Sequence, residues 1–272
     1  MLNRILISLV LIPVVLFTVY LGYVPFLVLM TGICLLSAFE FWEMVSKMGF
    51  VPRRLPGNIF IVLVLLSVFF NNSNIAAASS NDITGMLMAA AALALFIYEV
   101  IKFDIATAVP SLAVTYLGII YLGWLPGHFL LLRDIRPDGF KFTILLMVMV
   151  WVMDSAAYFF GTAYGSHKLS PVSPKKSIEG SIASVAASVA VMFIAKEFFI
   201  TCLRPNDVFL LGVLTSVSAQ FGDLAESLIK RSAAVKDSSA LLKDHGGVLD
   251  KLDSFIFAAP VFYYYIRFFI LK

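Results

Sequence analysis

The chain has 272 residues, 61% of them hydrophobic and 14% charged, with a formal net charge of +3; ordinary soluble domains carry about 25% charged residues. No fold of this length hides so much apolar surface, which excludes a soluble globular protein and requires lipid over most of the exterior. Backbone groups in a bilayer must be satisfied internally, by helices or a closed barrel. The apolar runs are long and lack period-2 alternation, so the sequence predicts an all-α, polytopic integral membrane protein.

A span needs roughly 20 apolar residues. About nine candidates follow one another: Ile5–Tyr20, Val24–Phe41, Asn58–Phe70, Ile83–Phe103, Ala106–Leu132, Phe140–Phe160, Ile182–Ile200, Val208–Leu228 and Leu252–Leu271. The first follows a lone Arg4 without an Ala-x-Ala-like cleavage site and reads as a retained helix. The third is short, and the fifth contains Pro126 and Gly127, a candidate break. Cys34 and Cys202 lie far apart, predicting neither a disulfide framework nor a zinc site.

Orientation follows from Lys and Arg in the loops. Even-numbered loops hold 12: Lys47, Arg53, Arg54, Lys102, Lys168, Lys175, Lys176, Lys230, Arg231, Lys236, Lys243 and Lys251. Odd-numbered loops hold 5: Arg133, Arg136, Lys141, Lys196 and Arg204. The bias puts the N-terminus and even loops in the cytoplasm. Residues 1–139 read as scaffold helices. Residues 140–272 read as a catalytic region with cytoplasmic loops at 161–181 and 229–250, which hold seven of the 12 even-loop cations.

Three stretches carry chemistry. In Phe221–Arg231, Asp223, Glu226, Ser227 and Lys230 are spaced i, i+3, i+4, i+7 and share one face of a helix. Two carboxylates so placed repel, and a divalent cation relieves the repulsion; oxygen ligands suit Mg²⁺. The plainer reading is a pair of acids neutralised by Lys230 and Arg231. In His245–Ser254, Gly246 and Gly247 let backbone approach a ligand, and a helix is predicted to start just after them, its N-terminal amides favouring a phosphate. Asp250 and Asp253 again share a face and could complete a metal site with Asp223 and Glu226; the plainer reading is a turn with a capping Asp. In the third stretch, Asp154 lies inside a predicted span and must face protein, water or metal. Ser173-Pro174 reads as a helix start, with Lys168, Lys175 and Lys176 clustered near it to suit a polyphosphate or an anionic headgroup. His128 and His167 read as structural.

These residues resemble the CTP:phosphatidate cytidylyltransferases, or CDP-diacylglycerol synthases. That family's signature appears as Ser227-Leu-Ile-Lys230-Arg231, then Lys236-Asp237, then His245-Gly246-Gly247-Val-Leu-Asp250-Lys251-Leu-Asp253. The lead-in Gly222-Asp223-Leu-Ala-Glu226 and the upstream Asp154 to Gly180 stretch match as well. Lys243-Asp244 stands where Pro-Gly is usual, and Lys251 where Arg is usual; Lys keeps the charge but not a bidentate fork. The resemblance implies transfer of CMP from CTP to phosphatidic acid, with Mg²⁺ and room for a second cation. Asp223, Glu226, Asp250, Asp253 and Asp154 are then the metal candidates. Asp223, Asp250, Lys230 and Arg231 are the catalytic candidates. Lys168, Lys175, Lys176, Ser227, Lys236, His245, Gly246 and Gly247 are the substrate-binding candidates. Membrane lipids are expected partners, nucleic acid is not, and a homodimer is compatible with the unassigned N-terminal helices. The expected location is the inner membrane, with the active site facing the cytoplasm. A transporter would share the intramembrane acids without needing the glycine turn. A CDP-alcohol phosphotransferase would need an Asp-Gly-x-x-Ala-Arg motif, which is absent.

Overall fold

Apolar runs that must satisfy their own backbone close into helices, and the computed structural model is nearly all-α. It describes residues 2–72, 83–200, 203–239, 241 and 246–271. Helices α1 (Leu2–Leu21), α2 (Tyr23–Lys47), α3 (Arg54–Asn72), α4 (Ile83–Lys102), α5 (Ile105–Ile119), α6 (Leu125–Arg133) and α7 (Gly139–Tyr164) come first. A hairpin of β1 (Lys168–Ser170) and β2 (Ser173–Ser177) precedes α8 (Ile178–Phe198), α9 (Pro205–Ser232) and α10 (Leu249–Tyr265).

Among the described residues six helical stretches are long and apolar enough to cross a membrane. Leu11–Leu21 and Arg54–Phe70 are shorter apolar helices. The six fall on six of the nine segments expected from hydropathy. At the expected break, Ile105–Arg133 stays one helical run. A π-turn at Ile120–Trp124 absorbs Pro126, whose missing N–H and bulky ring disturb the preceding turn.

The chain forms two compact units that do not follow chain order: 1–134 with 229–251, and 135–228 with 252–272. In the first unit, α3 buries Ile61, Val64, Leu65 and Val68, one face at helical spacing. The fully buried Trp42 indole donates to Asn58 Oδ1 at 2.8 Å. A methyl group at Gly118 would sit 2.2 Å from the Trp42 ring, so a residue without Cβ is required there. Arg53 and Glu99, 5% and 6% exposed, form a two-pronged pair at 2.5 and 2.8 Å. Removing one partner of such a pair strands the other charge. Arg53→Met is therefore expected to cost about 3–5 kcal/mol, read as a lower thermal midpoint in detergent micelles.

In the second unit, α7 and α8 pack closely through small residues. A methyl at Gly180 would lie 2.7 Å from the Ala157 carbonyl oxygen. Ser188 Oγ donates to the Gly212 carbonyl at 2.9 Å, tying α8 to α9.

One local expectation is corrected. Ser173-Pro174 does not start a helix: Ser173–Ser177 is a strand, antiparallel to β1 with Lys168 opposite Ser177. The cap is Ser177, whose side chain accepts from Gly180 N–H at 3.1 Å, with Glu179 in the first turn. Pro174 suits either reading, because its fixed φ and absent N–H also fit a two-stranded edge.

Candidate active site

The second unit gathers three acids. Asp223 and Glu226 lie one turn apart on α9, as their spacing predicts, and Asp253 lies on α10. Gly222 lets the two helices close: a Cβ there would meet the Asp253 carbonyl oxygen at 2.5 Å. One carboxylate oxygen from each of Asp223, Glu226 and Asp253 falls within 4.8 Å of the others. Glu226 is fully buried and the other two are half-buried. Three converging carboxylates, one of them fully buried, need positive charge, and all-oxygen donors fit a hard divalent cation.

Lys176, from β2, forms an ion pair with Asp223. Ser227 Oγ lies 3.5 Å from Asp223 Oδ1, and Asp154 on α7 is electrostatically coupled to both Asp223 and Lys176. Lys168 and Lys175 are exposed on the hairpin. His167 anchors that hairpin, its backbone N–H and Nδ1 both meeting the Glu179 carboxylate, the latter at 2.6 Å.

The first unit holds the rest of the signature. Lys230 Nζ donates to Asp250 Oδ1 at 2.5 Å, with both side chains only 12% exposed. Asp223 is therefore paired with Lys176 and Asp250 with Lys230. Arg231 donates to the Val235 carbonyl at 3.2 Å, and Lys236 is exposed. His245 lies outside the described residues.

The helix start expected after the glycine pair is present at Leu249. Asp250 Oδ2 accepts from Gly247 N–H at 2.7 Å and from Ser238 N–H at 3.1 Å, and lies 2.8 Å from Ser238 Oγ. The glycines are explained by these side chains. Gly246 has φ +78°, and a Cβ on it would lie 2.5 Å from Asp250 Oδ2. A Cβ on Gly247 would lie 2.0 Å from Ser238 Oγ and 2.4 Å from a Glu40 oxygen.

Glu40 escaped the sequence reading. It lies on α2, is 1% exposed, and reaches the loop before α10 from about 200 positions away. The amides at the start of α10, expected to favour a phosphate, donate to this carboxylate: Val248 N–H at 2.9 Å and Leu249 N–H at 2.8 Å. One signal could have found it: an acid inside a predicted span.

Comparison with known proteins agrees with the signature. Residues 2–269 match the Cytidylyltransferase family. The chain is 32% identical over 271 residues to the phosphatidate cytidylyltransferase of Bacillus subtilis (strain 168), covering 98% of each chain. It is 29% identical over 253 residues to that of Synechocystis sp. (strain ATCC 27184 / PCC 6803 / Kazusa), covering 84% of this chain and 83% of the relative. The Brucella suis biovar 1 (strain 1330) phosphatidate cytidylyltransferase is 41% identical over 147 residues, about half of each chain at 54%. With a family match spanning nearly its whole length, the chain belongs to the cytidylyltransferase family.

Proposed function

We propose that the chain is a phosphatidate cytidylyltransferase, transferring CMP from CTP to phosphatidate to give CDP-diacylglycerol and pyrophosphate. The observation that carries this reading is likeness over 98% of both chains to a relative of that name. The chemistry of the residues agrees. An oxygen of the lipid phosphate attacks the α-phosphorus of CTP; the new P–O bond forms as the bond to pyrophosphate breaks, and the electron pair leaves with pyrophosphate. A phosphomonoester is already anionic near neutral pH, with a second pKa of about 6, so the attack needs no strong general base. The obstacle is repulsion between two anions.

Asp223, Glu226 and Asp253 are the proposed seat of Mg²⁺, which when bound neutralises phosphate charge and aligns the displacement. Asp250 and Asp154 are the further acids of the proposed metal set, with room for a second cation. Lys230, Arg231 and Lys236 would hold the CTP phosphates, with Ser227, His245, Gly246 and Gly247 in the same segment. Lys168, Lys175 and Lys176 would hold the lipid phosphate or the outer phosphates. In this reading residues 1–139 serve as scaffold and offer a surface for a homodimer, and residues 140–272 carry the chemistry. The six long apolar helices, the two shorter ones and α10 stand for nine spans. The excess of Lys and Arg in even-numbered loops supports a cytoplasmic N-terminus and a site that faces the cytoplasm at the inner membrane.

The test is to incubate the purified protein with labelled CTP, phosphatidate and Mg²⁺. Labelled liponucleotide is expected, and EDTA is expected to remove it. Absence of label with Mg²⁺ present would overturn the reading and favour a transporter.

A further inference from the structure

We infer that Glu40 is a positioning residue for this reaction: its carboxylate, reaching from α2, caps α10 and sets the loop that holds Asp250 against Lys230. The inference rests on the cytidylyltransferase reading for its activity arm only.

Glu40 is 1% exposed, and burying a lone carboxylate is strongly unfavourable unless its oxygens are satisfied. Four groups of one loop approach them. Ser239 Oγ donates to Oε1 at 2.6 Å and Val248 N–H to the same oxygen at 2.9 Å. Leu249 N–H reaches Oε2 at 2.8 Å, and Ser238 Oγ lies 2.9 Å from Oε2. A helix leaves its first N–H groups without intrahelical partners, and its dipole favours negative charge there. Caps normally come from the preceding residue. Here the cap comes from a different helix, so it also fixes where α10 begins relative to α2.

Asp250 is bound into the same arrangement. Its Oδ2 takes the Gly247 and Ser238 N–H groups, and Ser238 Oγ stands between the two acids, 2.8 Å from Asp250 and 2.9 Å from Glu40. A hydroxyl has one proton to donate, so moving either carboxylate re-sorts the bonds of the other. Asp250 Oδ1 receives Lys230. Glu40 therefore acts on the signature residues through the loop.

The same geometry assigns the anion at this helix N-terminus. The Val248 and Leu249 amides serve Glu40, which leaves nucleotide phosphates to other donors, such as the exposed Arg231 and Lys236.

The test compares wild type with Glu40→Gln. The amide keeps the shape but turns one acceptor into a donor facing backbone N–H groups. Turnover is expected to fall about 100-fold with KM for CTP within about threefold, the pattern of a lost transition-state arrangement. Amides of residues 246–252 are expected to exchange with deuterium faster, while exchange in α7 and α8 stays as in wild type. Ser239→Ala, which removes one donor and keeps the carboxylate, is expected to cost about tenfold in turnover, the low end for one hydrogen bond to a charged group. Unchanged turnover in Glu40→Gln overturns the proposal. So does exchange that accelerates throughout the chain, which would mark Glu40 as a residue of general stability. If wild type makes no liponucleotide, the functional reading fails, and the exchange comparison still decides whether Glu40 holds the start of α10.

Discussion

Asp253→Asn is expected to lower turnover by about 10³-fold or more, roughly 4 kcal/mol of transition-state stabilisation. The substitution keeps side-chain volume and one carbonyl oxygen, so the Ser254 N–H that Asp253 Oδ1 accepts at 2.7 Å retains a partner. What is lost is one negative charge among three acids whose oxygens lie within 4.8 Å of one another. A divalent cation binds such a set through the summed charge of its oxygens. The half-saturating Mg²⁺ concentration should therefore rise along with the fall in rate. Asp250→Asn would be a poorer probe, because Asp250 also accepts two backbone N–H groups and Lys230, and an amide there would disturb the loop whether or not a metal is bound. Asp223→Asn should resemble Asp253→Asn in rate and would also release Lys176 from its ion pair. The measurement is initial rate of liponucleotide formation against Mg²⁺ concentration, with thermal unfolding in detergent as a control for folding. A variant with wild-type rate and an unchanged Mg²⁺ curve would remove Asp253 from the metal seat.

Local order was legible where periodicity or charge spoke for it. Asp223 and Glu226 share a helix face because i, i+3 spacing demands it, and α10 starts just after the glycine pair. The close approach of Asp253 was anticipated only as two acidic faces meeting; Gly222 is the physical means, and its role could not be read without the partner helix. Pairings across the chain were not legible. The plainer reading of α9 has Lys230 and Arg231 offset Asp223 and Glu226 as neighbours on one helix, yet Lys230 bonds Asp250, while Lys176 arrives at Asp223 from a hairpin. The hairpin itself was hidden because Ser-Pro is as good a helix start as a strand edge. Glu40 was hidden by distance along the chain and by its neighbours Phe39, Phe41 and Trp42, which make it look like an acid at the end of a span. The glycine pair alone suggests room for a ligand; on the side where a Cβ would stand, the carboxylates of Glu40 and Asp250 already fill the space.

The carboxylate of Glu40 and the hydroxyl of Ser238 make Gly247→Ala the second large effect. The added methyl would lie 2.0 Å from Ser238 Oγ and 2.4 and 2.5 Å from the two Glu40 oxygens, all below any real contact distance. None of these groups can yield cheaply. Ser238 is buried between Glu40 and Asp250, and Glu40 is held by Ser239, Val248 and Leu249. Either the loop moves off Glu40 or Glu40 leaves the start of α10, and both outcomes strip a buried carboxylate of donors. Losing two or three hydrogen bonds to a charged group, at about 1.5–3 kcal/mol each, is expected to reduce turnover more than 100-fold and to lower the thermal midpoint. The comparison with Glu40→Gln separates cause from consequence. If the methyl acts by displacing Glu40, the double variant should be little worse than either single one, because perturbations of one network do not add. Full additivity of the two rate losses would mean that Gly247 works independently of Glu40, through the ligand-binding role that its place in the signature first suggested.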